Sequence, residues 1–217
     1  MLRHILFLAC LTITTPVFSE CTFKTGKYIK ELKNPRNILG INIEVVKSAK
    51  YARNSYKIIT AKNYNIPSYL KKKFKAVIIV RYPFGTCSFK GRIQQHGKWK
   101  DHIKLVKKGN AFVRSLDVKL YEGNITNSVR FKLLLPETRN NLKEVFSVAV
   151  MKSLGFIVPE TFKVKVEINK VNSVMIFQET ARKELLERNS RREGPIFEGD
   201  ETIIWGNARE TDNDIIS

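Results

Sequence analysis

The run Phe74–Tyr82 (FKAVIIVRY) constrains the fold of this chain more than any other stretch. Its β-branched stretch Val77–Val80 is stiff at χ1 and suits a pleated, buried surface. Pro83 and Gly85 end it, and a second strand follows over Cys87–Gln94 (CSFKGRIQ). Further strand signals lie at Gly40–Lys47, Ser55–Ala61, Val113–Leu120 and Val129–Leu135, the last stopped by Pro136. One or two helical turns are expected over Ile66–Lys73. Most of this half of the chain is therefore expected to be antiparallel β.

The period then changes. Thr138–Leu154 places Leu142, Val145, Phe146, Ala149, Val150 and Leu154 at helical spacing, which predicts one core-facing helix. Asn140 or Asn141 is placed to cap it and Gly155 to stop it. Two strands, Phe162–Asn169 and Asn172–Gln178, read as a hairpin. A short charged helix over Thr180–Asn189 follows, then a polar, acidic tail. Strands with one packed helix make the fold class α+β.

Charge separates the two halves. The 217 residues carry 39 Lys and Arg against 20 Asp and Glu, a formal net charge of +19. From Thr22 to Lys119 there are 24 basic and 4 acidic residues; from Leu120 to Ser217 there are 14 and 15. The basic excess belongs wholly to the first half, the pattern of a surface facing a polyanion. A solvated basic face is the plainer alternative.

The N-terminus reads as a secretory signal peptide over 1–19. Arg3 gives the positive start, Ile5–Ile13 the apolar run, and Pro16, Val17 and Ser19 the exit before Glu20. That run is too short to span a bilayer, and no other apolar stretch approaches the required length. The chain is thus expected to be secreted, periplasmic or at the cell surface. Cys21 and Cys87 then enter an oxidising compartment, either as a disulfide or as two free thiols.

The most distinctive segment is Phe89–Leu105 (FKGRIQQHGKWKDHIKL), with Arg92 beside Gly91 and basic residues around Gly97 and Trp99. Basic groups beside glycine suit phosphate, because glycine lets backbone N–H groups approach its oxygens. A basic turn with Trp99 packed on a sheet is the alternative. The order Lys90-Gly91-Arg92…Trp99, Ser115–Leu120, Phe131–Leu135, the helix Arg139–Leu154 with Gly155-Phe156, Val164–Glu167, Val174–Glu179 and Gly194–Glu198 resembles the spore-coat protein H (CotH) kinase-like family. The match spans 89–201, half of the chain. Two features depart from that family: Ile93-Gln94-Gln95 follows Arg92 where Gly-Asn-Ser is usual, and the family's catalytic aspartates belong to a C-terminal lobe.

The resemblance implies an antiparallel β-rich lobe like the N-lobe of an atypical protein kinase, binding ATP with magnesium and phosphorylating protein substrates outside the cytoplasm. It implies a fragment without the catalytic C-lobe, divided into a basic N-terminal segment at 20–88, a kinase-like lobe at 89–204 and a tail at 205–217. Under it, Lys119 is the phosphate-binding lysine, with Lys132 competing for the role, and Arg92 a further phosphate ligand. Glu144 would orient such a lysine, and Glu179 would stand at the adenine hinge. Solvent-facing strand cations and helix-terminal carboxylates are the structural alternatives.

Other catalytic signatures are absent from the sequence: there is no HExxH, CxxC, GxSxG or Walker glycine–lysine loop. His96 and His102 lack a nearby cysteine that would suggest zinc. Two functions therefore compete: the exported kinase-like lobe, and a non-enzymatic surface protein that binds polyanions. An anionic surface is the favoured partner in the second, nucleic acid the less favoured one.

Overall fold

The computed structural model describes residues 20–23, 37–106 and 111–197. The expected signal peptide and the tail at 205–217 lie outside the described residues. Ten strands carry the fold: β1 (Glu20–Phe23), β2 (Gly40–Val45), β3 (Lys73–Tyr82), β4 (Gly85–Gln95), β5 (Ile103–Val106), β6 (Ala111–Arg114), β7 (Leu116–Leu120), β8 (Arg130–Leu134), β9 (Thr161–Ile168) and β10 (Val171–Glu179). Among the described residues three helices accompany them: α1 (Ser48–Thr60), α2 (Lys143–Ser153) and α3 (Lys183–Arg188). The class is mixed α+β, mostly strand.

The main sheet closes on itself. Its order is β1-β4-β3-β2-β9-β10-β8-β7, and β7 returns to pair with β4. Seven strands form a closed barrel, and β1 pairs with β4 outside that ring. Closure is possible because β4 is 11 residues long and one of its edges is shared. Cys21–Thr22 of β1 meet Cys87–Thr86, while β7 meets Gly91–Gln95. Every pair is antiparallel except β2–β9, which is parallel. The barrel takes strands from both sides of residue 88. A closed ring leaves no unpaired edge, the alternative to a sheet that must be covered.

Alternation fills the barrel. Ala76, Ile78, Val80, Ile93, Val118, Phe131, Leu133, Val164, Val166 and Phe177 point inward and are buried in one cluster. The rings of Phe131, Phe177 and Phe162 stack with centroids 4.6 and 4.7 Å apart. Gly91 is required where β4 and β7 approach: a Cβ there would lie 2.6 Å from the Lys119 carbonyl oxygen. That glycine serves barrel closure. Cys21 and Cys87 face each other across β1–β4 and form a disulfide.

Three sequence expectations are corrected. Ser55–Ala61, expected as a strand, forms the last turns of α1 and its C-cap. The helix's buried positions Tyr51, Asn54, Ser55 and Ile58 fall at helical spacing. Two of them are polar, which hides the periodicity, and both are satisfied. Asn54 donates to the Leu70 carbonyl at 2.9 Å, and Ser55 donates to the Tyr51 carbonyl at 3.0 Å. Second, the helix expected to face the core is α2, and it buries no residue. Leu142, Phe146, Val150 and Leu154 are exposed. The packed helix is instead α1, beside β2 and the β5–β6 hairpin, where Ile58, Ile66, Leu70 and Ile103 form a second apolar cluster. Third, Val113–Leu120 is not one strand. It breaks at Ser115, whose hydroxyl accepts from the Leu135 N–H at 3.0 Å, so β6 and β7 join different sheets. Among the described residues no helix is long and apolar enough to cross a membrane.

Candidate functional site

Register places four cations in one row across the outside of the barrel. Lys75 of β3 stands opposite Arg92 of β4, Arg92 opposite Lys119 of β7, and Lys119 opposite Arg130 of β8. Each belongs to the solvent-facing parity of its strand, because its neighbours Ala76, Gly91, Ile93, Val118, Leu120 and Phe131 are buried. Adjacent strands lie roughly 4.8 Å apart, so the row spans about 15 Å. Directly opposed like charges on a sheet are destabilising. Among the described residues, none of these four side chains has an ion-pair partner. Burial pushes the Arg130 guanidinium below its ordinary value, the Arg182 and Arg92 charges push it further, and Glu184 opposes them.

Further groups extend or bound the row. Lys132 sits on the same outward parity, opposite Asp117 of β7 and Gln178 of β10. Asp117 itself is held by His96, whose Nδ1 lies 3.0 Å from its Oδ1. Lys90 is exposed two residues before Arg92 on β4. The Thr180 N–H donates to the Arg130 carbonyl, which brings Arg182 toward the row's end.

The structure therefore brings three of the sequence-derived candidates together: Arg92 and Lys119 are neighbours, with Lys132 diagonal to them. The two carboxylates are held by other groups, although Gln178, which binds Glu144, stands opposite Lys132. Glu144, in the first turn of α2, forms an ion pair with Arg139, whose Nε lies 3.1 Å away, and accepts from the Gln178 side-chain amide. Glu179 is 2% exposed. It pairs with Arg188 Nη1 at 2.8 Å and accepts from the Glu160 N–H at 3.0 Å. Neither carboxylate makes an ion pair with Lys119 or Lys132, and both are engaged in tying α2 and α3 to β10. These residues do not form the lysine–carboxylate pair that a nucleotide grip needs.

The segment around Gly97 has a packing role. Gly97 takes φ +85°, and a Cβ there would fall 1.9 Å from His102 Cδ2. His102 is buried, its ring set edge-on to that of His96 at 5.3 Å. Burial, with smaller repulsion from His96 and Arg139, lowers its pKa to about 4 against the attraction of Asp101. Among the described residues no cluster of His, Cys, Asp and Glu is arranged to hold a metal ion.

Sequence reasoning missed Lys75 and Arg130. Both are ordinary strand cations by composition, and only cross-strand register sets them beside Arg92 and Lys119. No family model matches this chain, and no curated protein matches it.

Proposed function

We propose that this protein is a non-enzymatic, exported polyanion binder whose contact surface is the Lys75–Arg92–Lys119–Arg130 row. One observation carries the reading: four cations stand directly opposed on adjacent strands, and among the described residues none of them has an ion-pair partner. Folding alone disfavours that arrangement, and a string of phosphate or sulfate groups lying across the strands relieves it. Arg182 and Lys132 widen the track. The Cys21–Cys87 disulfide supports an oxidising, extracytoplasmic setting.

The reading to be separated from this one is nucleotide-dependent phosphoryl transfer by a kinase-like lobe, with ATP, magnesium and a protein substrate. It stands on the ordered motif series and on the adjacency of Arg92 and Lys119. The positions of Glu144 and Glu179 weigh against it.

The test is retention on a sulfated polysaccharide such as heparin, with duplex DNA alongside, as a function of salt. Affinity should fall linearly in log–log form. Changing all four cations to Gln should flatten the slope by roughly 0.7 to 0.9 for each anionic group left unneutralised, the increment seen on nucleic acid. Salt-insensitive binding, or a quadruple variant that binds like the parent, overturns the proposal. A thermal midpoint raised by millimolar ATP with magnesium, and no longer raised in Lys119→Ala, would favour the kinase-like reading instead.

A further inference from the structure

A cleft of about 540 Å³ lies between α1, the turn Ser68–Leu70 and the start of β3. It is separate from the barrel row and no sequence motif points to it. Lys50, Arg53 and Lys57, spaced along one face of α1, form one wall, and Lys72 faces them. Leu70 and Phe74 supply an apolar floor, and among the described residues no carboxylate lines it. None of the four cations has an ion-pair partner among the described residues.

A second observation points the same way. Arg114 of β6 is fully buried directly behind this cleft. Its Nη1 donates to Asn54 Oδ1 at 2.9 Å, and Asn54 itself lines the cleft. The guanidinium lies 3.9 Å from the centroid of the Tyr51 ring, while its Nε and Nη2 have no hydrogen-bond partner. An arginine keeps its charge inside a protein, and a buried cation without a carboxylate is costly. Low-dielectric walls also focus its field into the nearest opening. Four exposed cations and one buried cation thus converge on a concavity of ordinary ligand size with an apolar base.

We propose that this cleft binds a small organic anion bearing two or more phosphate groups. The phosphates meet Lys50, Arg53, Lys57 and Lys72, and the apolar part rests on Leu70 and Phe74. A soluble phosphate ester and a phospholipid headgroup share this chemistry. The site is independent of the barrel row, so the two readings stand or fall separately.

The probe is sodium tripolyphosphate, titrated calorimetrically into the full chain. Saturable one-to-one binding is expected. The double variant Arg53→Ala/Lys57→Ala, both exposed and therefore compatible with folding, should weaken it by about tenfold or more. Arg92→Ala/Lys119→Ala should leave it within about twofold, although it abolishes most heparin retention. Absence of saturable heat at millimolar tripolyphosphate overturns the proposal, as does equal weakening by the two doubles. Tripolyphosphate that displaces the protein from phosphatidic acid vesicles extends the cleft's ligands to lipid headgroups. Vesicle binding that it leaves untouched, with saturable heat retained, assigns the cleft to soluble phosphates.

Discussion

The inner and outer faces of β4, β7 and β8 are built from alternate residues of the same short segments, yet they obey opposite rules. Inside, Ile93, Val118, Leu120, Phe131 and Leu133 are buried in one cluster, with Gly91 buried beside them. Outside, Arg92, Lys119 and Arg130 repel one another. The inner face supplies stability and tolerates little change. The outer face gives some stability up, the usual mark of a surface kept for a ligand.

The comparison breaks most visibly at the core. Phe131→Ala should cost about 3–5 kcal/mol in urea unfolding, since it removes a ring stacked on Phe177 and leaves a cavity inside the barrel. A change under about 1 kcal/mol would mean the barrel interior is loosely packed. Gly91→Ala should cost about 1–3 kcal/mol, because a methyl group meets the Lys119 carbonyl and Ile78. An unchanged midpoint would show that β4 and β7 do not approach as described.

A third experiment tests the buried polar corner formed by His102, past the end of β4. His102 binds its proton less readily folded than unfolded, with a pKa lowered from 6.5 to about 4. The unfolded chain therefore takes up more protons between those values. Stability from this group is complete above pH 6.5, falls as pH drops through the window and levels off below about pH 4. The slope approaches about 1.4 kcal/mol per pH unit for one proton. His102→Gln should flatten that dependence, and an acid limb unaltered in this variant would assign the effect to other groups.

The smallest stability effect should have the largest functional one. Lys119→Glu places a carboxylate between Arg92 and Arg130, and should raise stability by about 0.2–1 kcal/mol while abolishing most heparin retention. A variant that loses stability, or keeps its retention, contradicts the division between the two faces.

Much of the architecture is legible along the chain. The β-branched run of β3, the period change before α2 and the hairpin β9–β10 all follow from local pattern. Gly155 ends α2 in a left-handed conformation, φ +83°, as its position implies. Legibility fails where polar residues are buried: Asn54 and Ser55 conceal the packed face of α1, because the partners of Asn54, Leu70 and Arg114, are distant in sequence. It fails in reverse at α2, whose apolar residues have helical spacing but no surface to cover in the described structure. Of the candidate site, Arg92, Lys119 and Lys132 are named by motif order, while Lys75 and Arg130 are not. A strand cation shows its parity in sequence but not its opposite number.

The sequence by itself determines the long central strands and the β9–β10 hairpin, which side of each is apolar, and that the first half carries the basic excess. Those properties depend on residues within a few positions of one another. Tertiary structure decides that the sheet closes, that β4 is shared between β1 and β7, and that the cations fall into one row. It also decides that Glu144 and Glu179 belong to α2, α3 and their anchors. These outcomes depend on register between strands far apart in the chain, where a shift of two residues preserves every inward and outward face while replacing every neighbour.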